Sequence, residues 1–271
     1  MTSWQKAVKY SAIAFAICLC VSIFNGIFGA IGLVFNTLDG KDNAGKMKTY
    51  NISSNIQELK LDINAARLVI ANSDTLRVES NNKYLKVTEQ DGCLIINETE
   101  RNYSDMNGKI EVTLYLPEDI VLKNANISTG AGQVKIDRLA AENLYLELGA
   151  GQVNIDTLEA YCTSQIIGGA GQMILSNGAL QNLKLDMGVG ELRFTSALKG
   201  DCEFDMGVGA AHITLIGSEN DYRIELDKGL GDARINGQSL SDGAVCGNGA
   251  NSIEVEGGIG EIRINFSEIS A

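Results

Sequence analysis

Proline is nearly absent: Pro117 stands alone in 271 residues, against 30 glycines. Such a chain suits short strands joined by tight turns better than long helices. Basic charge is scarce as well. The formal net charge is −12. Residues 1–35 carry only Lys6 and Lys9 and no acid, so the remainder holds 20 basic against 34 acidic residues. That balance speaks against nucleic acid as a partner, because such binding rests on neutralising phosphates. No C-x-x-C pair occurs among the six cysteines, so zinc and dithiol signatures are missing. Cys93, Cys162, Cys202 and Cys246 are scattered and read as isolated buried thiols.

Charge is wholly lacking from Ala12 to Phe35, "AIAFAICLCVSIFNGIFGAIGLVF". Spanning a bilayer takes about 20 apolar residues. The run exceeds a signal-peptide core and no small-x-small cleavage site comes after it, so it reads as an uncleaved transmembrane anchor. Residues 1–11 form a short basic head, 12–35 the membrane helix and 36–50 a polar linker. Lysines flank the span on both sides, and their count does not decide the orientation. A signal-anchor with a short basic head commonly translocates the domain C-terminal to it, which places that domain outside a single-pass membrane protein. Ser22, Gly26 and Ala30 stand four apart, a small-residue stripe suited to helix–helix packing in a homodimer.

What is plentiful is a repeat. Gly-x-Gly recurs as Gly130/Gly132, Gly149/Gly151, Gly169/Gly171, Gly188/Gly190, Gly207/Gly209, Gly229/Gly231 and Gly258/Gly260. The early copies lie 19 or 20 residues apart, and Gly247-Asn248-Gly249 is an imperfect extra copy. A phosphate loop occurs once per site; copies at one period are architecture. Three residues before the first glycine the residue is always apolar, from Ile127 through Leu185 to Val255. Four and six residues after it the residues are apolar again, as in Leu192 and Phe194. Period-2 alternation on both sides of a glycine bend means two short strands per repeat. The residue between the glycines, from Ala131 to Ile259, is also apolar and is expected to point inward. The predicted fold is all-β: a single-chain β-solenoid with coils of about 19–20 residues, seven of them stacked at about 4.8 Å. Residues 51–125 read as irregular strands that cap it, with a hairpin at Asp91-Gly92, and 126–271 as the regular solenoid.

The stretch "LYLPEDIVLKNANISTGAGQVKI", succeeded by many "LxLxxGxGxxxI" units, resembles the bacterial putative-adhesin family, a domain-of-unknown-function family of β-strand-repeat proteins widespread in Gram-positive bacteria. The resemblance covers about residues 50–266. It implies an envelope-associated β-solenoid, and its motifs carry no catalytic residue to transfer.

Candidate chemistry is sparse. Calcium-binding G-G-x-G-x-D repeats need an aspartate where Gln172 and Glu261 stand, so no metal or other cofactor is expected. His212 falls in a mostly polar outward column with Lys135, Arg193, Arg234 and Arg263, as a surface residue does. No catalytic residue is identified. Glu147, Asp186, Asp205, Asp227 and Glu256, two residues before the first glycine, form an acidic outward column. It reads as a solvated face or as a docking surface for a cationic partner. Gln133, Gln152 and Gln172 are placed to form an amide ladder. The function these features favour is a non-enzymatic, membrane-anchored surface scaffold in adhesion or envelope-stress signalling, with an envelope protein or glycan as partner. The alternatives are a filament-forming structural polymer and a carbohydrate-active β-helix enzyme.

Overall fold

Alternating apolar residues carry through to the backbone as strands on most of the described residues. The structure is a computed structural model that describes residues 45–53, 55–99 and 110–267. The apolar run 12–35, the Ser22–Gly26–Ala30 stripe and residues 1–44 lie outside the described residues. Among the described residues no helix is long and apolar enough to cross a membrane.

Fourteen strands form one sheet. They are β1 (Lys48–Asn51), β2 (Glu58–Asn72), β3 (Arg77–Ser80), β4 (Leu85–Gln90), β5 (Cys93–Glu98), β6 (Glu111–Leu116), β7 (Leu122–Gln181), β8 (Leu183–Lys199), β9 (Asp201–Ile216), β10 (Tyr222–Asp227), β11 (Leu230–Ile235), β12 (Gln238–Ser239), β13 (Ala244–Cys246) and β14 (Asn251–Ser267). β7 winds through three coils on its own: Gly149 stacks on Gly130, and Gly169 on Gly149. From there the chain climbs in parallel register, Ile166↔Leu185↔Phe204 and Met173↔Leu192↔Ala211. The inward positions form unbroken apolar columns, in which Phe194 and Phe204 meet edge-to-face at 5.2 Å.

Two features depart from the sequence reading, and they mirror one another. At the C-terminal end, spatial order is not chain order. β14 pairs in parallel with β9 (Phe204↔Val255, Gly209↔Gly260) and, on its other side, with β10 and β11 (Leu226↔Val255, Gly231↔Gly260). The last coil in the chain is therefore inserted beneath the one that precedes it. At the N-terminal end β2 lies between the first coil of β7 (Leu61↔Ile127) and the layer made by β5 and β6 (Leu61↔Ile96, Leu68↔Val112). The stack thus runs β5–β6, β2, three coils of β7, β8, β9, β14, β10–β11: the seven layers read from the glycine pairs and two more from the segment read as a cap, roughly 40 Å at the usual strand spacing.

Each outer layer is closed by antiparallel strands. β4 covers β5 and β3 covers β6, with β1 beyond it. At the other end β13 covers β10 and β12 covers β11. Both ends use a two-residue hairpin with positive φ at each central residue, Asp91-Gly92 and Asn236-Gly237, the geometry that matches strand twist. Several expectations are corrected by this arrangement. The strand system begins at Lys48, inside the segment read as linker. Gly247-Asn248-Gly249 is no coil, since it comes directly after the antiparallel cap strand β13. The residue between the glycines is half-buried in most coils, and Leu230 is 67% exposed, because the chain bends there and turns the side chain away from the core.

The glycine corners differ in what they demand. A Cβ on Gly188 would press on the Gly169 carbonyl oxygen of the coil below. One on Gly190 would collide with the Gly171 carbonyl oxygen, and Gly190 also holds φ at +149°, which L side chains rarely adopt. β2 makes the same corner with Ala65 and Ala66. Its pairing with the outer layer stops at Asp62↔Asn97 and resumes at Arg67↔Glu111, so no described strand stacks on that corner from outside. Replacing Gly190 by Ala should therefore cost several kcal/mol, on the scale of large single-site losses, and more than Gly188→Ala. Ala66→Gly should cost no more than about 1 kcal/mol. Thermal melts of the three variants check the order; equal melting points for the two glycine variants would contradict it.

Candidate functional site

A solenoid places chemistry on its flanks, so the candidate site is a pattern of outward residues. On the leading face, before each glycine corner, strand alternation sends every second residue outward. Register stacks Asp186 on Asp205, Asp205 on Glu256 and Glu256 on Asp227. A second row lies two residues earlier, Lys184, Glu203, Glu254 and Glu225 in the same spatial order. Because β14 is inserted, Glu256 sits between Asp205 and Asp227, and the acids are contiguous over four layers. Glu147 stands apart, separated from Asp186 by the coil carrying Ile167. Two cations relieve the block. Lys184 Nζ lies 3.2 Å from Glu203, and its hydrogen bond to that carboxylate raises the lysine pKa; Arg223 reaches Glu225 at 3.2 Å. Among the described residues no group of three or more His, Cys, Asp or Glu is arranged to hold a metal.

On the trailing face, after the corner, Arg193, His212, Arg263 and Arg234 stack in register. Each arginine is tied to the carboxylate two residues earlier in its own coil: Glu191 at 2.6 Å, Glu261 at 2.7 Å and Asp232 at 2.8 Å. The hydrogen bonds from Arg193 and Gln172 hold the Glu191 carboxyl below its ordinary pKa. His212 has Ala210 at that position and lies half-buried between two arginine layers. Of the glutamines, Gln172 donates to Glu191 at 2.9 Å; no side-chain bond joins Gln133 to Gln152 among the described residues. The four described thiols are free, and of these only Cys202 is buried; Cys162 is exposed and Cys93 and Cys246 are half-buried.

A polar ladder at the opposite corner escaped the sequence reading. Asn124 donates to Glu58 at 2.9 Å, Asn143 to Asn124 at 3.2 Å, and Thr163 to Asn143 at 3.0 Å. The signal was present six residues before the first glycine, where Asn124, Asn143, Thr163 and Asn182 recur.

The Toastrack DUF4097 family model matches residues 56–265. No curated protein matches the chain. Among solved structures, a putative cell adhesion protein from Clostridium sporogenes is 20% identical, with 82% of this chain and 99% of that one covered and a TM-score of 0.35. A putative adhesin from Bacteroides fragilis is 13% identical, with 83% and 100% covered and a TM-score of 0.37. A putative lipid binding protein from Parabacteroides distasonis is 15% identical, with 83% and 98% covered and a TM-score of 0.33.

Stacked carboxylates about 4.8 Å apart repel, and salt screens exposed charge. Raising salt from about 10 to 300 mM should therefore raise the melting temperature. Reversing Asp186, Asp205, Asp227 and Glu256 to Lys together should leave the circular dichroism spectrum unchanged, since each is a surface position worth less than about 0.5 kcal/mol. It also sets a basic row beside Glu203, Glu254 and Glu225, so the stabilisation by salt should vanish or invert. An unfolded variant would show that these side chains support the core.

Proposed function

The chain belongs to the Toastrack DUF4097 family, and on that footing we propose that it is a non-enzymatic, membrane-anchored scaffold of the cell envelope, presenting the flanks of its rod to other molecules. The observation that carries this reading is the layout of the outward residues. Over β8, β9, β14 and β10–β11 they are ranked in parallel rows, one acidic throughout from Asp186 to Asp227 and one of arginines and His212 on the trailing face, where each arginine is balanced within its own coil. Catalysis by a β-helix needs acids or an acid and a base converging on one substrate atom. Rows along a rod instead suit recognition of an extended partner, where complementary charge sets partner choice and encounter rate. The anchor in this reading is the apolar run 12–35, with the rod outside the membrane.

The filament alternative finds less support. A solenoid that polymerises end to end needs open parallel edges at both ends. Here the outer layers are each paired with antiparallel strands, β3 and β4 at one end and β12 and β13 at the other. Covering an edge in this way is how natural sheets avoid edge-to-edge growth.

Protease added to intact cells should remove the domain, and deletion of residues 12–35 should release it from the membrane fraction. A fragment of residues 45–271 should be monomeric, rich in β-structure and visible as short single rods by electron microscopy. Protection in intact cells but cleavage after lysis would overturn the outward orientation; long filaments would overturn the scaffold reading in favour of the polymer.

A further inference from the structure

The acidic block occupies only one half of the leading face. The other half, over β5, β2 and the first two coils of β7, carries a depression of about 470 Å³. Its origin is a difference in side-chain length. Asn126 and Ser128 make a short floor in the first coil of β7. Register sets Lys60 and Asp62 of β2 on one side of that floor, with Asn97 beyond Asp62. Tyr145 of the next coil stands on the other side. The size falls within the roughly 300–1,000 Å³ usual for small-ligand sites.

The polar groups around it are uncommitted. Asp62, Asn97, Asn126 and Ser128 make no side-chain hydrogen bond, and Lys60 and Asp62 form no ion pair, within the described residues. Elsewhere the same spacing closes readily. Lys135–Asp137, Arg193–Glu191, Arg223–Glu225, Arg234–Asp232 and Arg263–Glu261, all two residues apart on one strand, form salt bridges. Lys60 and Asp62 have that spacing along β2 and stay unpaired at the edge of the depression. Tyr145, in contrast, is held: its hydroxyl donates to Glu147 at 3.2 Å, which steadies the ring as a wall.

We propose that this trough binds a short oligosaccharide of all-equatorial, β-linked pyranose residues. Such a ring presents C–H bonds on its flat face and hydroxyls around its rim. The tyrosine wall matches the flat face, as an amphipathic ring with an apolar body. The two amides and Ser128 each donate and accept, Asp62 accepts and Lys60 donates, which suits hydroxyls that must do both. A trough open to solvent along the rod admits a chain rather than a single enclosed sugar. The proposal supplies a ligand class for the scaffold reading and rests on it for its setting. The binding measurement does not depend on where the rod resides in the cell, so a failure of one is distinguishable from a failure of the other.

The test is calorimetric titration of the full-length protein in mild detergent with cellotetraose and with chitotetraose. At least one should bind with a dissociation constant on the order of 0.1–1 mM, as a shallow solvent-open site supports. Tyr145→Ala should weaken that binding at least tenfold, whereas Tyr145→Phe, which keeps the ring, should stay within about threefold. Ser128→Leu, which fills the floor from the solvent side, should abolish it with an unchanged melting temperature. Asn154→Ala, an exposed position on the trailing face, should leave it intact. Absence of binding to both sugars at 10 mM would overturn the proposal. So would wild-type affinity in both Tyr145→Ala and Ser128→Leu, or binding of an extended glycine–serine–lysine decapeptide in place of the sugars.

Discussion

At every glycine corner the carbonyl oxygen of one coil points at the Cα of the coil above it, with no room between them for a side chain. Two strands that bend together must keep their backbone spacing through the bend, or the hydrogen-bond ladder breaks on both sides of it. Glycine removes the only atom that would force them apart. Once that column is in place, register is set. Val189 lies over Ala170 and under Val208, Leu185 over Ile166 and under Phe204, and each apolar column is continuous because one corner aligns all of them. The hydrophobic effect drives the collapse, but it is indifferent to a slip of a whole coil. The corner, where slip would set a Cβ against a carbonyl, is not.

The same stacking that makes the rod also makes its ends hazardous. A parallel layer without a neighbour exposes a full row of amide and carbonyl groups. This chain answers at both ends with the same device, an exchange of order and then an antiparallel cover. β2 and β14 are each drawn one layer inward, so the layers left outside, β5–β6 and β10–β11, are made of short separate strands. Short strands can take antiparallel partners through tight hairpins, which a continuous bent coil cannot. The exchange also binds β2 and β14 on two sides, so these two long bent strands are held within the stack rather than left on its edge.

The sequence reading recovered the repeat because its markers are local: apolar alternation and a glycine pair at a fixed period. It recovered the Asp91-Gly92 hairpin for the same reason. It read β2 as irregular cap strands rather than a full coil, because the corner at Ala65-Ala66 lacks a described neighbour on its outer side and so does not require glycine. It also missed the exchange of the last two coils. Gly229 and Gly258 carry the same signature, and nothing in a local pattern says which of two equivalent layers lies inside. The gap of 29 residues between them, with Asn236-Gly237 in it, was the trace of the cap and its hairpin. The acidic column was legible as a column, but its contiguity across Asp205, Glu256 and Asp227 depends on the exchange. The depression beside Tyr145 was not legible at all. It arises from residues far apart in sequence, Lys60, Asn97 and Asn126, that become neighbours only through stacking.

Stacking also explains why one face carries two unlike surfaces. In a solenoid an outward column changes character only when the residue at one coil position changes from repeat to repeat. Along the leading face that position reads Asn97, Asp62, Ser128, Glu147, Ile167 and then Asp186, Asp205, Glu256 and Asp227. The core residue just before it stays apolar and buried throughout, from Ile96 and Leu61 to Val255 and Leu226, so this drift leaves the core column intact. Like charges stacked over four layers are unfavourable in themselves. Two nearby cations relieve only part of that repulsion, so the acids are better understood as a surface feature than as a support of the fold. The polar trough at the other end of the same face combines short residues, uncommitted hydrogen-bonding groups and a ring held in place, a combination the rod does not need for its own stability. A scaffold whose repeat fixes the backbone so firmly is free to vary its flank one coil at a time, and here that freedom has produced a charged half and an uncommitted, concave half about 20 Å apart along one straight face, by the strand spacing.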